Sequence, residues 1–212
     1  MSQIVEAFSR LAEDYDRWYE GNPLFESECL AVEAMGEVPH PSLEVGAGTG
    51  RFAARLGLDF GLDPSLEMLR LARKRGVAAV CGRAEELPFG DGTLAGVYFL
   101  FAFCFLEDQE KALSEARRVL GPEGLLVLGI INRASAWGRL YQEKAASGHP
   151  LYRWARFLTP EELVARASSR GFAFKRAVST LFQSPQAPPQ VESPREGVHP
   201  AAGFVVLSFT KT

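Results

Sequence analysis

Cysteine, histidine and long apolar runs are all scarce in this chain of 212 residues, and each scarcity narrows what the chain can do. The three cysteines, Cys29, Cys81 and Cys104, are odd in number and show no Cys-x-x-Cys spacing. That excludes a disulfide framework and a zinc site, so no bound metal is expected and the thiols read as small buried side chains. The most apolar run, Val97 to Leu106, is about half of what a membrane span needs, so no membrane partner is expected. Met1-Ser2-Gln3-Ile4-Val5-Glu6 lacks the basic and apolar regions of a secretion signal, which predicts a cytoplasmic protein. Clustered positive charge is also missing: the net charge is −3 and the pI about 5.7, against a nucleic-acid partner. The densest basic run, Arg70 to Arg75, reads as the last turns of a helix, where it complements the dipole. A monomer and a homodimer are both compatible with this composition.

Apolar residues make up 47% of the chain and charged residues 23%, enough for one domain with a full core. Ile4, Phe8, Leu11, Tyr15 and Trp18 recur at three- and four-residue steps, which predicts an amphipathic helix over 3–20. A second helix is predicted over 24–35. Strands then read at 42–46, 58–63, 77–81, 94–101 and 124–131, with helices near 51–56, 65–75 and 108–120. This alternation implies a parallel sheet with right-handed crossovers. Pro64 suits the first position of its helix. Residues 132–158 are irregular and aromatic, with Trp137, Tyr141, Tyr152, Trp154 and Phe157 suited to roofing a ligand pocket. Thr159-Pro160-Glu161-Glu162 is a capping box, and its helix closes at Gly171. Two apolar runs, 173–182 and 203–210, follow with no helix between them. Ser184 to Ala202, rich in proline, is expected to be an exposed, mobile loop. The domain organisation expected is a single domain over 1–212, with a helical cap at 1–36, a cofactor-binding core at 41–131, the roof at 132–158, and a last helix and strand pair at 159–212.

The most informative stretch is Leu43-Glu44-Val45-Gly46-Ala47-Gly48-Thr49-Gly50-Arg51-Phe52. A strand that breaks into alternating glycines before a helix is built to bring backbone against a ligand, since glycine tolerates positive φ and leaves no Cβ in the way. Seventeen residues after Gly46, Asp63 ends the next strand, placed to accept both hydroxyls of a ribose. A dinucleotide fingerprint would have its third glycine at position 51, where this chain has Arg51; the third glycine here is Gly50.

With Glu44 two residues before Gly46, the run resembles motif I of class I S-adenosylmethionine-dependent methyltransferases. Gly61-Leu62-Asp63-Pro64-Ser65-Leu66-Glu67-Met68-Leu69 looks like the second motif of that family. Gly82-Arg83-Ala84-Glu85-Glu86-Leu87-Pro88-Phe89 resembles its Gly-Asp-Ala-Glu-x-Leu-Pro-Phe segment, with Arg83 in place of the usual Asp. Leu113 to Gly129 is similar to its helix-turn-strand five. The nearest likeness is to small bacterial enzymes related to the ubiquinone and menaquinone methyltransferases (methyltransferase type 11). The resemblance implies an α/β fold: a Rossmann-like doubly wound seven-stranded sheet, mostly parallel with an antiparallel C-terminal strand, plus N-terminal helices. It implies S-adenosylmethionine as cofactor, held by Glu44, Gly46, Ala47, Gly48, Asp63, Pro64, Met68, Ala84 and Glu85. Tyr15 resembles a tyrosine that reaches the methionine end, and Phe101, at the end of strand four, joins the set. The partner implied is a small-molecule methyl acceptor.

Relatives often read Phe-Asp-x-Val-x-Ser-x-x-x-x-His-His-Leu after strand four. The aligned positions here are Leu94, Ala95, Phe99, Cys104 and Phe105, without the aspartate or either histidine. Phe99-Leu100-Phe101-Ala102 stands where amino methyltransferases of adenine or glutamine carry Asn/Asp-Pro-Pro-Tyr/Phe. Phenylalanines at this strand end also supply none of the hard oxygen ligands of a Mg²⁺ site. Of the histidines, His40 and His199 read as exposed and His149 lies in the aromatic roof. No residue is assigned a catalytic role. Two alternatives stand beside the methyltransferase: an NAD-dependent oxidoreductase, disfavoured by Arg51 and the C-terminal strand pair, and a non-catalytic S-adenosylmethionine-binding protein, which the missing histidines keep open.

Overall fold

The computed structural model describes residues 2–212. Three helices, α1 (Gln3–Arg10), α2 (Ala12–Trp18) and α3 (Pro23–Glu33), precede the first strand. The core then alternates β1 (Ser42–Val45), α4 (Arg51–Leu56), β2 (Phe60–Asp63), α5 (Leu66–Lys74), β3 (Ala78–Cys81) and β4 (Leu94–Leu100). It continues with α6 (Gln109–Val119), β5 (Leu120–Ile131), α7 (Ala136–Ala146) and α8 (Pro160–Ser169), and ends on β6 (Phe172–Thr180), β7 (Arg195–Glu196) and β8 (Phe204–Lys211). Short 3₁₀ turns cover Ala102–Phe105 and Tyr152–Trp154.

The strand order is β3-β2-β1-β4-β5-β8-β6-β7. β1 pairs in parallel with β2 and β4, and those in turn with β3 and β5. β8 inserts antiparallel between β5 and β6. The sheet is thus Rossmann-like, as expected, but with eight strands instead of seven. The extra one, β7, pairs Arg195 and Glu196 with Ser179 and Val178. It forms because the stretch expected to be free is fastened: the Glu192 carboxylate accepts the N–H groups of Phe182 and Gln183, each at 2.8 Å, and the Glu192 N–H donates to Ser27 Oγ on α3 at 2.9 Å.

Leu43, Val45, Leu62, Val97, Phe99, Leu126 and Leu128 are fully buried, the pattern of central strands covered on both faces. Each such side chain contributes about 1.5–3 kcal/mol of burial. Leu113 and Ala116 of α6 and Leu163 and Ala167 of α8 cover one face; Cys29, Val32, Phe52 and Ala53 of α3 and α4 cover the other. Ser65 caps α5 by accepting the Met68 N–H at 3.2 Å, so Pro64 lies before the cap and not at the first helical position. Thr159 and Glu162 form the expected capping box. Cys81 is exposed, against the expectation of three buried thiols.

The helix expected over 3–20 breaks at Leu11, where φ is −99° and ψ 10°. The break rotates α2 so that Asp16 faces inward and Trp18, on the predicted apolar stripe, stays 44% exposed. Asp16 then binds Arg51 Nε at 2.8 Å and Arg75 Nη2 at 2.7 Å. These two arginines, with burial opposing them, hold the Asp16 carboxyl below its ordinary range. No helix among the described residues is long and apolar enough to cross a membrane.

Candidate active site

The strand order reverses between β1 and β4, so the loops that leave their carboxyl ends diverge and open a crevice, the usual ligand position in open α/β sheets. The glycine loop is wrapped around the end of β2. Gly46 and Ala47 both donate to Leu62 O, at 2.8 and 2.9 Å, and the Gly48 N–H donates to Asp63 Oδ2 at 3.0 Å. Asp63 Oδ1 accepts the Ser65 N–H at 2.8 Å.

The three glycines differ in what they face. A Cβ on Gly46 would lie 2.3 Å from Ala102 Cβ, and one on Gly50 2.8 Å from Ala72 Cβ. On Gly48, with φ +54°, a Cβ would meet nothing closer than 3.9 Å, where Met68 Sδ and Tyr15 Cε1 stand. Gly46 and Gly50 therefore serve packing, while Gly48 presents open backbone to the crevice.

That crevice, open to solvent, spans about 660 Å³ between the glycine loop, Asp63, Pro64, Met68, Phe101 and the α1 side chains Ile4, Val5 and Phe8. A second chamber, likewise open to solvent and spanning about 1200 Å³, adjoins it, lined by Tyr19, Glu28, Tyr141 and Tyr152 among others. Phe8, Tyr15, Phe101 and Phe105 line both. Phe101 is held at φ +64°, a left-handed backbone uncommon outside glycine, with its ring stacked on Phe204 at 4.5 Å.

Burial pushes the Asp63 carboxyl up to about 6, against the N–H groups of Ser65 and Gly48, which lower it. Burial likewise raises Glu44 well above the carboxylate range, opposed by a backbone contact at Ala53 and assisted by the Asp63 charge. Glu44 Oε2 is buried without a hydrogen-bond partner. Two buried acids thus sit at the mouth and the root of the glycine loop, each raised because burial disfavours its charged form.

Of the residues singled out in the sequence, Tyr15, Gly46, Gly48, Asp63, Pro64, Met68 and Phe101 line the crevice. Glu44 and Ala47 are buried beneath the loop, and Ala84 is buried in the core. The Glu85 carboxylate accepts the Glu107 and Asp108 N–H groups at 3.2 and 3.3 Å and lies 3.6 Å from Arg83, tying the loop after β3 to the one before α6. Arg83 itself pairs with Glu107 at 2.7 Å. In the aromatic segment Tyr141 and Tyr152 face the second chamber, whereas Trp137 packs on Gly203 and donates to Gln183 O at 2.9 Å. His149 borders the chamber with Nδ1 accepting the Leu151 and Tyr152 N–H groups, and burial lowers its pKa. His40 pairs with Asp59 at 2.6 Å, away from the site. Among the described residues no cluster of His, Cys, Asp or Glu could hold a metal.

Sequence reasoning missed Asp16, Tyr19 and Glu28. Glu28 had a signal: it falls on the face of α3 that carries the buried apolar residues Leu24, Ala31 and Val32, an unusual place for an acid.

Comparison with known proteins agrees with this geometry. Residues 43–128 match the family described as Methyltransferase domain. A solved structure from Thermotoga maritima, described as a SAM-dependent methyltransferase and possible histamine N-methyltransferase, is 36% identical; the match covers 99% of this chain and 100% of that one, with a TM-score of 0.91. A demethylmenaquinone methyltransferase of the same organism is 30% identical over 200 residues, 79% of this chain and 87% of that protein. An uncharacterised protein of Mycobacterium tuberculosis is 40% identical over 207 residues, 95% of this chain and 73% of that protein. The chain belongs to the class I S-adenosylmethionine-dependent methyltransferases, and S-adenosylmethionine is its cofactor.

Proposed function

We propose that the crevice beside Gly48 and Asp63 holds S-adenosylmethionine and that the adjoining chamber holds a small, partly apolar acceptor, which receives the methyl group. The observation that carries this reading is the open backbone face at Gly48 next to a buried acid at the end of β2. The sulfonium supplies an activated methyl group, so the protein's task is to orient the acceptor and exclude water.

In this assignment Asp63 accepts the ribose hydroxyls, Pro64 and Met68 flank the adenosine, and the backbone at Gly46 and Gly48 passes beneath it. Ala47 carries the loop. Ala84 and Glu85 shape the adenine end through the loop they anchor. Asp63 lines the crevice and ionises as pH rises through about 6, and a cofactor positive at its sulfonium and ammonium favours that ionised form; Glu44 supports the loop from beneath. Tyr15 and Phe101 stand at the passage to the second chamber, where the methyl group would cross.

Residues 1–36 and 132–158 act as the walls and roof of the chamber, on a single domain whose cofactor core is 41–131. The acceptor enters a largely aromatic space with no phosphate-binding arginine cluster, which favours a small molecule over nucleic acid. Calorimetric titration with S-adenosylhomocysteine and with NAD tests the cofactor half, and transfer of labelled methyl to a metabolite pool tests the acceptor half. Tight binding of NAD instead of S-adenosylhomocysteine would overturn the reading.

A further inference from the structure

Tyr15 and Asp16 are neighbours on α2, about 100° apart around the helix, so the ring of one lines the cavities while the carboxylate of the other turns to the core. Asp16 is only 8% exposed and, like Arg51 and Arg75, lines neither cavity. Both of its oxygens are engaged. Oδ1 accepts from Arg51 Nε at 2.8 Å, and Oδ2 accepts from Arg51 Nη2 at 3.0 Å and from Arg75 Nη2 at 2.7 Å. Arg75 continues to the glycine loop, where its Nη1 donates to Thr49 O at 3.0 Å. Arg51 is the residue that follows the loop, the first of α4. One carboxylate therefore joins α2, the glycine loop and the end of α5.

Fastening alone does not require charges here. Taking a carboxylate and two guanidiniums out of water costs desolvation that an apolar contact avoids, and what the ions add over such a contact is direction. The two-pronged Arg51 bond and the single Arg75 bond fix the rotation of α2 as well as its distance from the core. Among the described residues the other ion pair from α2 to the core is Glu13 with Arg70 at 2.9 Å, whose side chains are 73% and 53% exposed and which solvent weakens. The rotation of α2 decides where Tyr15 stands. Its Cε1 lies 3.9 Å from where a Cβ on Gly48 would be, and its ring meets those of Phe8 and Tyr19 edge-on at 5.8 and 5.2 Å. The loop is thus gripped at Thr49 by Arg75 and faced at Gly48 by Tyr15, and Asp16 spans the two.

We propose that Asp16 is a positioning residue for cofactor binding: through Arg51 and Arg75 it sets α2 against the glycine loop so that the Tyr15 ring closes over the cofactor beside Gly48. The proposal rests on the reading of that crevice as the S-adenosylmethionine site. Asp16 itself touches no ligand; its effect reaches the cofactor chiefly through Tyr15.

The test titrates the full chain with S-adenosylhomocysteine by calorimetry. Asp16→Asn keeps the shape and removes the charge, and should weaken binding about tenfold; Asp16→Glu, which restores the charge, should fall between that variant and wild type. Tyr15→Ala should weaken binding by a similar factor, and adding Asp16→Asn to it should cost no more than about threefold further, a non-additivity that a general loss of stability does not produce. Glu13→Gln should stay within about twofold of wild type. If circular dichroism shows Asp16→Asn to be unfolded, Arg75→Gln takes its place, with an expected loss of about fivefold because the bond to Arg51 remains. Wild-type affinity in the variant used, in Tyr15→Ala, or equal losses with and without the Tyr15 ring, overturns the positioning role while the cofactor site stands; so does an Asp16→Glu protein that binds no better than Asp16→Asn. Failure of the wild-type chain to bind S-adenosylhomocysteine would overturn the cofactor reading and this inference with it.

Discussion

Replacing Asp63 by alanine separates binding from stability in this protein. In the cofactor-free chain the carboxyl is 9% exposed and raised from 3.8 to about 6. At neutral pH that shift costs the folded state about 3 kcal/mol. Because the folded value lies above the unfolded one, the group adds stability below pH 3.8, and the contribution disappears as pH rises through about 6. Alanine removes the cost but leaves the Gly48 and Ser65 N–H groups without their acceptor, at about 1–3 kcal/mol each. The two effects are similar in size and opposite in sign, so the net change in unfolding free energy should fall within about 3 kcal/mol of zero. Binding has no such offset. Two charge-assisted hydrogen bonds to ribose hydroxyls are lost, worth about 2–4 kcal/mol together, or about 30- to 900-fold in S-adenosylhomocysteine affinity. Calorimetric titration at neutral pH, paired with urea unfolding of the ligand-free variant, measures both quantities. A folded Asp63→Ala protein that binds S-adenosylhomocysteine within about threefold of wild type would refute the assignment.

Wild-type S-adenosylhomocysteine affinity should fall about tenfold between pH 7 and pH 5 as Asp63 takes up a proton, and Asp63→Asn should flatten that part of the titration curve. Gly48→Val should remain folded by circular dichroism yet lose cofactor binding, since its side chain enters open space at positive φ. Gly46→Ala should instead lower the melting temperature, because its Cβ meets Ala102 at 2.3 Å. Hydrogen exchange with and without S-adenosylhomocysteine should show slowed exchange in residues 3–18 and 136–154; protection confined to 46–50 would mean that α1, α2 and α7 do not close on the ligand.

The central sheet was legible because strand, glycine loop, acid and cap each impose a local pattern, and all the patterns agreed. The glycine run, Asp63 and the Thr159 capping box could be placed from spacing alone. What escaped the sequence were relations between distant residues. Leu11 sits on a continuous apolar stripe, so no local signal marked the break; the helix turns there because Asp16 reaches Arg51 and Arg75, residues 35 and 59 positions away. The two-residue β7 has no periodicity to detect, and it depends on Glu192 fastening a proline-rich stretch to its neighbours. Within the site, the three glycines read alike in sequence; only the surroundings of each Cβ distinguish the one that faces open space. Tyr141 and Trp137 likewise share a composition signal, and packing against Gly203 sends one of them into the core.

Phe8 and Tyr15 belong to the walls of both cavities. A displacement of α1 and α2 wide enough to release the spent cofactor therefore strips one side from the acceptor chamber in the same motion. On the proposed assignment, opening one cavity by such a displacement also opens the other. The restraint on that opening lies outside both cavities, in the ion pairs by which Asp16 holds α2 to Arg51 and Arg75 of the core.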